Sequence, residues 1–311
     1  MNGRILVFDN IKYFLMVLVI YAHLMNIGCD IPWDLYKFIY SFHMPLFVMV
    51  SGYFTNRDKN AGDFFRANRN LGALFLIFSL VAACVNVCVY HKPAFDSIFV
   101  PQFALWYLLC LIYWRTLVYC LPTRVLKGLW FTALVFAISL LPSFFHLNYF
   151  ALSRCLAFFP FFLVGWLCRE NQWLSVLDKW GSKYSLAFVL GSVACYFVAI
   201  KIPPMVYWGF ETVPAPALAV LLYKLGAWCV AFVLSITVYL FMPKNVGVEE
   251  GKYTLFYYLY HTVLLFPFLD YAVRYLPHHY LTSLLVLVCL MATLFVLRKV
   301  RLLSGLLRVG R

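Results

Sequence analysis

Apolar runs of about twenty residues, each long enough to cross the hydrocarbon core of a bilayer as a helix, follow one another along nearly all of this 311-residue chain. No other feature constrains the fold as much, because a backbone in hydrocarbon has no water to bond and must pair its own N–H and C=O groups. Helices and closed barrels are the two solutions. Barrel strands alternate apolar and polar residues over about ten positions, whereas these runs are continuous, so helices are selected. Composition agrees: 65% of residues are hydrophobic and 12% charged, with a mean hydropathy of +0.86. We expect an all-α, polytopic transmembrane helical bundle with about ten spanning helices, forming a single domain over 1–311.

The runs lie at 5–27, 36–54, 71–90, 102–120, 126–143, 149–168, 184–200, 216–241, 253–273 and 280–298. Basic residues gather in alternate connections. One set holds Arg57, Lys59, Arg66, Arg69, Arg124, Lys127, Arg169, Lys179, Lys183, Lys244 and Lys252, with Arg4 before the first run and Arg298, Lys299, Arg301, Arg308 and Arg311 after the last. The other set holds Lys37, Lys92, Lys201 and Arg274. The positive-inside rule then places both termini in the cytoplasm, and it explains the net charge of +13 better than nucleic-acid binding, for which a basic stripe is missing. The first run is too long for the h-region of a cleavable signal and is expected to remain as the first helix. Ten cysteines, nearly all inside apolar runs and without a CxxC pair, read as small core residues, so neither a disulfide framework nor a zinc site is expected. Prolines mark run ends at Pro101, Pro122, Pro142, Pro203, Pro204, Pro243 and Pro277, while Pro45 and Pro160 fall within spans.

Polar groups inside the runs are the place to look for function, because an ionisable side chain costs several kcal/mol in lipid unless it faces protein or a wet cavity. Lys12 and His23 are eleven residues apart, about three helical turns, and so share one face roughly 16 Å apart. Asp9, one turn before Lys12, is placed to hold its ammonium. His43, Arg154 and His261 are the other titratable or cationic groups deep in spans; Arg115 and Lys224 lie nearer span ends. The assigned orientation puts His23, His43 and Arg154 at one level in the outer half, with His261 near the middle. No carboxylate accompanies them and no HxxxH spacing occurs, which argues against a metal. A neutral imidazole is suited to taking a proton from a hydroxyl near neutral pH. Arg66 and Arg69, three residues apart on the cytoplasmic side, suit bidentate phosphate contact, although positive-inside charge explains them too. Trp106 and Tyr258, with neighbouring aromatics, offer faces for stacking on sugars.

The segments FDNIKYFLMVLVIYAH (Phe8 to His23), FIYSFHMPLFVMVSGYF (Phe38 to Phe54), FRANR (Phe65 to Arg69), LWYLLCLIYWR (Leu105 to Arg115), SRCLAFFPFFLVGW (Ser153 to Trp166) and YTLFYYLYH (Tyr253 to His261) resemble, in order, the blocks of the acyltransferase-3 family of integral membrane acyltransferases, in particular its fucose 4-O-acetylase-like branch. The resemblance runs from about residue 4 to 298. It implies O-acetyltransferase activity: acetyl from cytoplasmic acetyl-CoA passes to a hydroxyl of a carbohydrate or lipid-linked glycan at or beyond the outer face. The family's basic residue and histidine on the first helix fall on Lys12 and His23, its R-x-x-R pair on Arg66 and Arg69, and its second-helix histidine on His43. Lysine stands where arginine is common, and Ala22 where glycine usually precedes the histidine.

Together these readings give a multi-pass protein of the bacterial inner membrane that modifies polysaccharide. Arg66 and Arg69 are expected to bind the CoA phosphates, and His23 to act as general base in a catalytic set with Lys12, Asp9 and His43. His43 or Arg154 steadies the oxyanion, and Arg154, His261, Trp106 and Tyr258 contact the acceptor. Acyl-CoA, a carbohydrate or glycolipid acceptor and membrane lipid are the expected partners, without nucleic acid or metal. A transporter or flippase of a glycan or lipid precursor is the alternative, and a non-catalytic scaffold a third.

Overall fold

The structure, a computed structural model, describes residues 5–25, 32–57, 60–88, 91, 99–101, 103–147, 149–264, 275 and 280–300. Arg4, Lys59, Lys92, Arg274, Pro277, Arg301, Arg308, Arg311 and the second half of the 253–273 run lie outside the described residues. Among the described residues ten helices carry the fold: α1 (Leu6–Leu24), α2 (Trp33–Tyr53), α3 (Ala61–Cys88), α4 (Trp106–Cys120), α5 (Leu129–Ile138), α6 (Leu152–Glu170), α7 (Trp173–Ala199), α8 (Ala217–Phe241), α9 (Thr254–Leu264) and α10 (Tyr280–Arg298). Single turns, among them Thr123–Leu126, Pro204–Trp208 and Glu249–Tyr253, join them. Among the described residues there is no strand.

Length separates the helices into two groups. Among the described residues, five stretches are long and apolar enough to cross a membrane: α1, α3, Tyr149–Glu170, α8 and α10. A sixth joins them if the bent pair Trp173–Gly181 and Lys183–Ala199 within α7 counts as one span. α2 has the length, at 21 residues, but Asp34, Lys37, Ser41 and His43 dilute its apolar character. α4 is 15 residues long, about 22 Å, and α5 is 10; neither alone matches a hydrocarbon core of about 30 Å. Among the described residues, fewer helices could each cross alone than there are apolar runs in the sequence, because a run does not reveal where a helix starts and stops.

Burial shows which faces meet lipid. Leu186, Leu190 and Phe197 on α7, Leu218 and Leu222 on α8, and Leu281, Leu285 and Val288 on α10 are exposed, an apolar surface that water would not tolerate and hydrocarbon does. α1 is the opposite: Ile11, Leu15, Met16, Ile20, Ala22 and Leu24 are fully buried, so neighbours surround it. Two contacts tie the chain's last third to it. Asn10, itself buried, donates through Nδ2 to the carbonyls of Pro243 (2.8 Å) and Val246 (2.7 Å), and its Oδ1 accepts from Val248 N–H at 2.7 Å. The turn that follows lies on the start of α1 so closely that a Cβ on Gly251 would stand 2.2 Å from the Asp9 carbonyl oxygen. α9 then continues beside α1.

α2 packs against α1, α6 and α8. Pro45 and Pro160 sit inside α2 and α6 without breaking either helix, although each removes one intrahelical N–H. The α2–α6 approach depends on two glycines facing one another's backbone: a Cβ at Gly52 would lie 2.1 Å from the Phe162 carbonyl oxygen, and one at Gly165 would lie 2.0 Å from that of Met49. Lipid supplies no hydrophobic drive between helices, so close backbone packing over small residues is what holds such a pair.

Gly165→Ala is expected to force α2 and α6 apart and to cost about 1–3 kcal/mol, read as a lower thermal unfolding midpoint of the detergent-solubilised protein. Gly191→Ala, where the nearest atom to a new Cβ is Val233 Cγ1 at 3.6 Å, should not lower the midpoint, since alanine is the better helix former.

Candidate active site

Where α1, α2, α6 and α9 converge with the Tyr207–Glu211 segment, a cavity of about 390 Å³ opens, within the size range of small-molecule pockets. α1 contributes Val19 and His23, α2 Tyr36, Tyr40, His43 and Met44, α6 Arg154 and Phe158, and α9 Tyr258; Ala104 and Trp106 close one side, Tyr207, Trp208, Phe210 and Glu211 another. The spacing Tyr36, Tyr40, His43 is i, i+4, i+7, one face of a helix. Five residues singled out from sequence, His23, His43, Arg154, Trp106 and Tyr258, thus meet around one space.

Arg154 is held by ring faces. Its guanidinium carbon lies 5.1 Å from the centroid of Trp106 and 4.0 Å from that of Phe210, and Trp106 in turn lies against Phe158, centroids 5.3 Å apart. Among the described residues no carboxylate forms an ion pair with it, although Glu211 lines the same cavity. The start of α6 aims this side chain. Phe150 (φ 52°) and Ala151 (φ 59°) are consecutive left-handed residues, a conformation costing side-chain-bearing residues of order 1–3 kcal/mol each. The turn is stitched by Ser153 N–H to the Leu147 carbonyl at 2.8 Å and by Leu147 N–H to Ser153 Oγ at 3.1 Å.

The histidines are bound differently from one another. His43 Nδ1 lies 2.7 Å from the Ile39 carbonyl oxygen one turn back. A carbonyl only accepts, so the proton is on Nδ1 and the Nε2 lone pair of the neutral ring is left for other partners. Its ring edge meets Tyr40, centroids 4.8 Å apart. His23 Nδ1 lies 3.1 Å from His261 Nε2, and His261 Nδ1 lies 2.9 Å from the Tyr257 carbonyl oxygen. His261 is completely buried and does not reach the cavity wall. Tyr258 lines the cavity while its hydroxyl donates to the Ala104 carbonyl.

Four predicted site residues lie elsewhere. Lys12 Nζ contacts Asp9 Oδ1 at 2.8 Å, the i,i+3 pairing expected from sequence, and stands 5.8 Å from the Phe54 ring centroid; about 16 Å of α1 separates it from His23. Arg66 and Arg69 are exposed on the early turns of α3, with Arg66 Nη1 at 4.0 Å from Asp63. The structure therefore resolves the expected residues into a polar cavity, a half-buried Asp9–Lys12 pair and an exposed basic turn. Sequence reading missed Tyr36, Tyr40, Trp208, Phe210 and Glu211. The first two carried a legible helical spacing with His43, but the others come from a connection without periodicity. Among the described residues, no group of three or more His, Cys, Asp or Glu is arranged to hold a metal ion.

Comparison with known proteins adds three findings. The sequence matches the acyltransferase-3 family, described as an acyltransferase domain, over residues 5–297. It is similar to nodulation protein NolL of Sinorhizobium fredii (strain NBRC 101917 / NGR234), with 38% identity over 72 residues, a stretch covering 21% of this chain and 20% of that relative. The chain thus spans about a fifth of the length of the curated relative it matches. No solved structure matches it.

Phe210→Ala removes one of the two ring faces on Arg154, and we expect it to cost about 0.5–2 kcal/mol, measured as a fall in thermal midpoint in detergent. Phe210→Tyr keeps a face and should stay near the parent value.

Proposed function

This chain belongs to the acyltransferase-3 family, and from that premise we propose that it is a membrane O-acyltransferase that moves acetyl from cytoplasmic acetyl-CoA to a hydroxyl of a cell-surface carbohydrate or lipid-linked glycan. The observation that carries the reading is the convergence of His23, His43 and Arg154 on one aromatic-walled cavity. A sugar presents ring faces and hydroxyls, and such a wall offers stacking surfaces beside acceptors and donors. In this proposal the protein is a ten-span one of the bacterial inner membrane with both termini cytoplasmic, and it falls in the fucose 4-O-acetylase-like branch.

The reaction needs a base, an oxyanion donor and a place for the thioester. His23 takes the proton of the acceptor hydroxyl as that oxygen bonds to the thioester carbonyl carbon. Arg154, the cation in the cavity, donates to the oxygen that becomes negative. The tetrahedral species collapses by breaking the C–S bond, and the proton on His23 passes to the departing sulfur, leaving an ester, free CoA thiol and the original histidine. His43 takes a different part from Arg154. Its Nδ1–H is engaged with Ile39, so its free nitrogen accepts from a second hydroxyl of the acceptor and does not stabilise the oxyanion. Trp106 and Tyr258 flank the sugar. On the donor side, Arg66 and Arg69 are exposed to meet the CoA phosphates, and the Asp9–Lys12 pair marks the cytoplasmic end of α1, about 16 Å from His23. That separation is one that an extended pantetheine arm spans.

Membranes bearing the full chain, supplied with acetyl-CoA labelled in the acetyl group, should pass label into the carbohydrate fraction. At equal abundance His23→Ala should slow this by about 10²–10⁴-fold, and full activity in that variant would reject the base assignment. Label that stays on CoA while a glycan precursor crosses the membrane would instead support a transporter. Arg154→Gln should lower the rate by about 10²–10³-fold without altering abundance.

A further inference from the structure

We infer that His261 is a positioning residue: through the Tyr257 carbonyl it fixes which nitrogen of His23 carries the proton, and so presents the His23 Nε2 lone pair to the cavity. This deepens the base role proposed for His23 and removes His261 from the acceptor contacts expected from sequence.

The hydrogen-bond capacity of each atom fixes where the protons lie. The Tyr257 carbonyl oxygen can only accept, so His261 Nδ1, 2.9 Å away, is protonated. In the neutral ring Nε2 then has a lone pair and no proton. The atom facing that lone pair at 3.1 Å is His23 Nδ1, which must be the donor. His23 Nε2 is left unprotonated, and His23 is the member of the pair that lines the cavity. The opposite direction would need protons on both His261 nitrogens, an imidazolium sealed from solvent with no carboxylate hydrogen-bonded to it among the described residues.

Geometry supports an in-plane bond. The two ring centroids are 5.3 Å apart with planes inclined by 28°, well beyond the roughly 3.5–4.0 Å of atoms in face contact. The rings therefore meet edge to edge through the two nitrogens. Both nitrogens of His261 are occupied and its side chain is fully buried, so nothing on it remains for a sugar. The carbonyl that starts the relay is itself anchored. Tyr257, almost fully buried, donates its hydroxyl to Glu250 Oε2 at 2.5 Å, and Glu250 also accepts from Arg298 Nη2 at 2.9 Å. Packing of the Glu249–Tyr253 turn on Asp9 then sets the height of α9 against α1. When His23 takes a proton at Nε2 it keeps its Nδ1–H bond to His261, so the ring does not turn during the reaction.

The test reads the proton directly. In the full-length protein in lipid bilayers, labelled with ¹⁵N-histidine and with the His23 signals identified by their loss in His23→Gln, neutral His23 should carry its proton on Nδ1 and show coupling across the bond to His261 Nε2. His261→Leu should release His23 to a mixture of tautomers and slow labelled-acetyl transfer by about 10²-fold, the lower share of general-base catalysis. His261→Gln, whose Oε1 stands where Nε2 was, should keep the Nδ1–H tautomer and restore most of the rate. Proton on Nε2 in the parent protein, a tautomer indifferent to His261→Leu, or an equal loss of rate in the leucine and glutamine variants would overturn the inference. If the tautomer is as described but no acetyl reaches carbohydrate in any variant, the proposed reaction fails and the relay stands.

Discussion

Hydrocarbon offers no hydrogen-bond partner, and in this molecule that requirement makes α1 the element on which the rest depends. Its Asp9 and Asn10 are buried, and both are satisfied from within: Asp9 holds Lys12, and Asn10 takes three bonds from the 243–248 segment. Those bonds dock a part of the chain more than two hundred residues away. Because that docking precedes α9 in the chain, it also decides which face and which height of α9 stand beside His23. A polar side chain in the first span is thus both a liability in lipid and the address to which the last third of the molecule is delivered.

The cavity inherits its character from the same constraint. Walls within the membrane are made from groups whose polar ends can be bonded locally, so tyrosine, tryptophan and histidine predominate, and some of the groups in and behind these walls spend one polar atom on a nearby backbone oxygen. His43 bonds Ile39, His261 bonds Tyr257 and Tyr258 bonds Ala104. Each such bond is structural and at the same time chemical, since it fixes which atom of a two-ended side chain is left to face substrate. Two histidines with the same intrinsic chemistry are given different duties in this way: His43 keeps a lone pair in the cavity, while His261 is enclosed and acts on His23. Arg154 meets the requirement otherwise, by covering its guanidinium with the faces of Trp106 and Phe210.

The helix pairs that surround the site show how rigid the frame is. Glycines 52 and 165 bring the backbones of α2 and α6 together, and these two helices carry His43 and Arg154 into the cavity lining. The left-handed pair at Phe150 and Ala151 turns the chain into α6 just before Arg154. A shift in either feature would change the distance between a hydroxyl-accepting nitrogen and the cation proposed to meet the oxyanion, with no change in the residues themselves.

Much of this was legible in the sequence because it depends on local periodicity. The apolar runs specify helices, and the three-residue spacing of Asp9 and Lys12 specifies an ion pair. Family blocks then located five of the cavity's residues. Other features depend on contacts between segments remote in sequence, which periodicity does not encode. The number of helices able to cross alone was one, since α4 starts later than its apolar run and α5 lies inside its own. The contribution of Phe210 and Glu211 was another, because a connection has no repeat to betray which side chains turn inward. The bond between His23 and His261 was the third: two histidines 238 residues apart look alike in sequence, and only the docking of α9 on α1 decides that one serves as partner to the other. Sequence by itself determined the solvent this protein folds in and the chemical groups it brings there; tertiary structure decided which atoms of those groups are already bonded and which remain free to react.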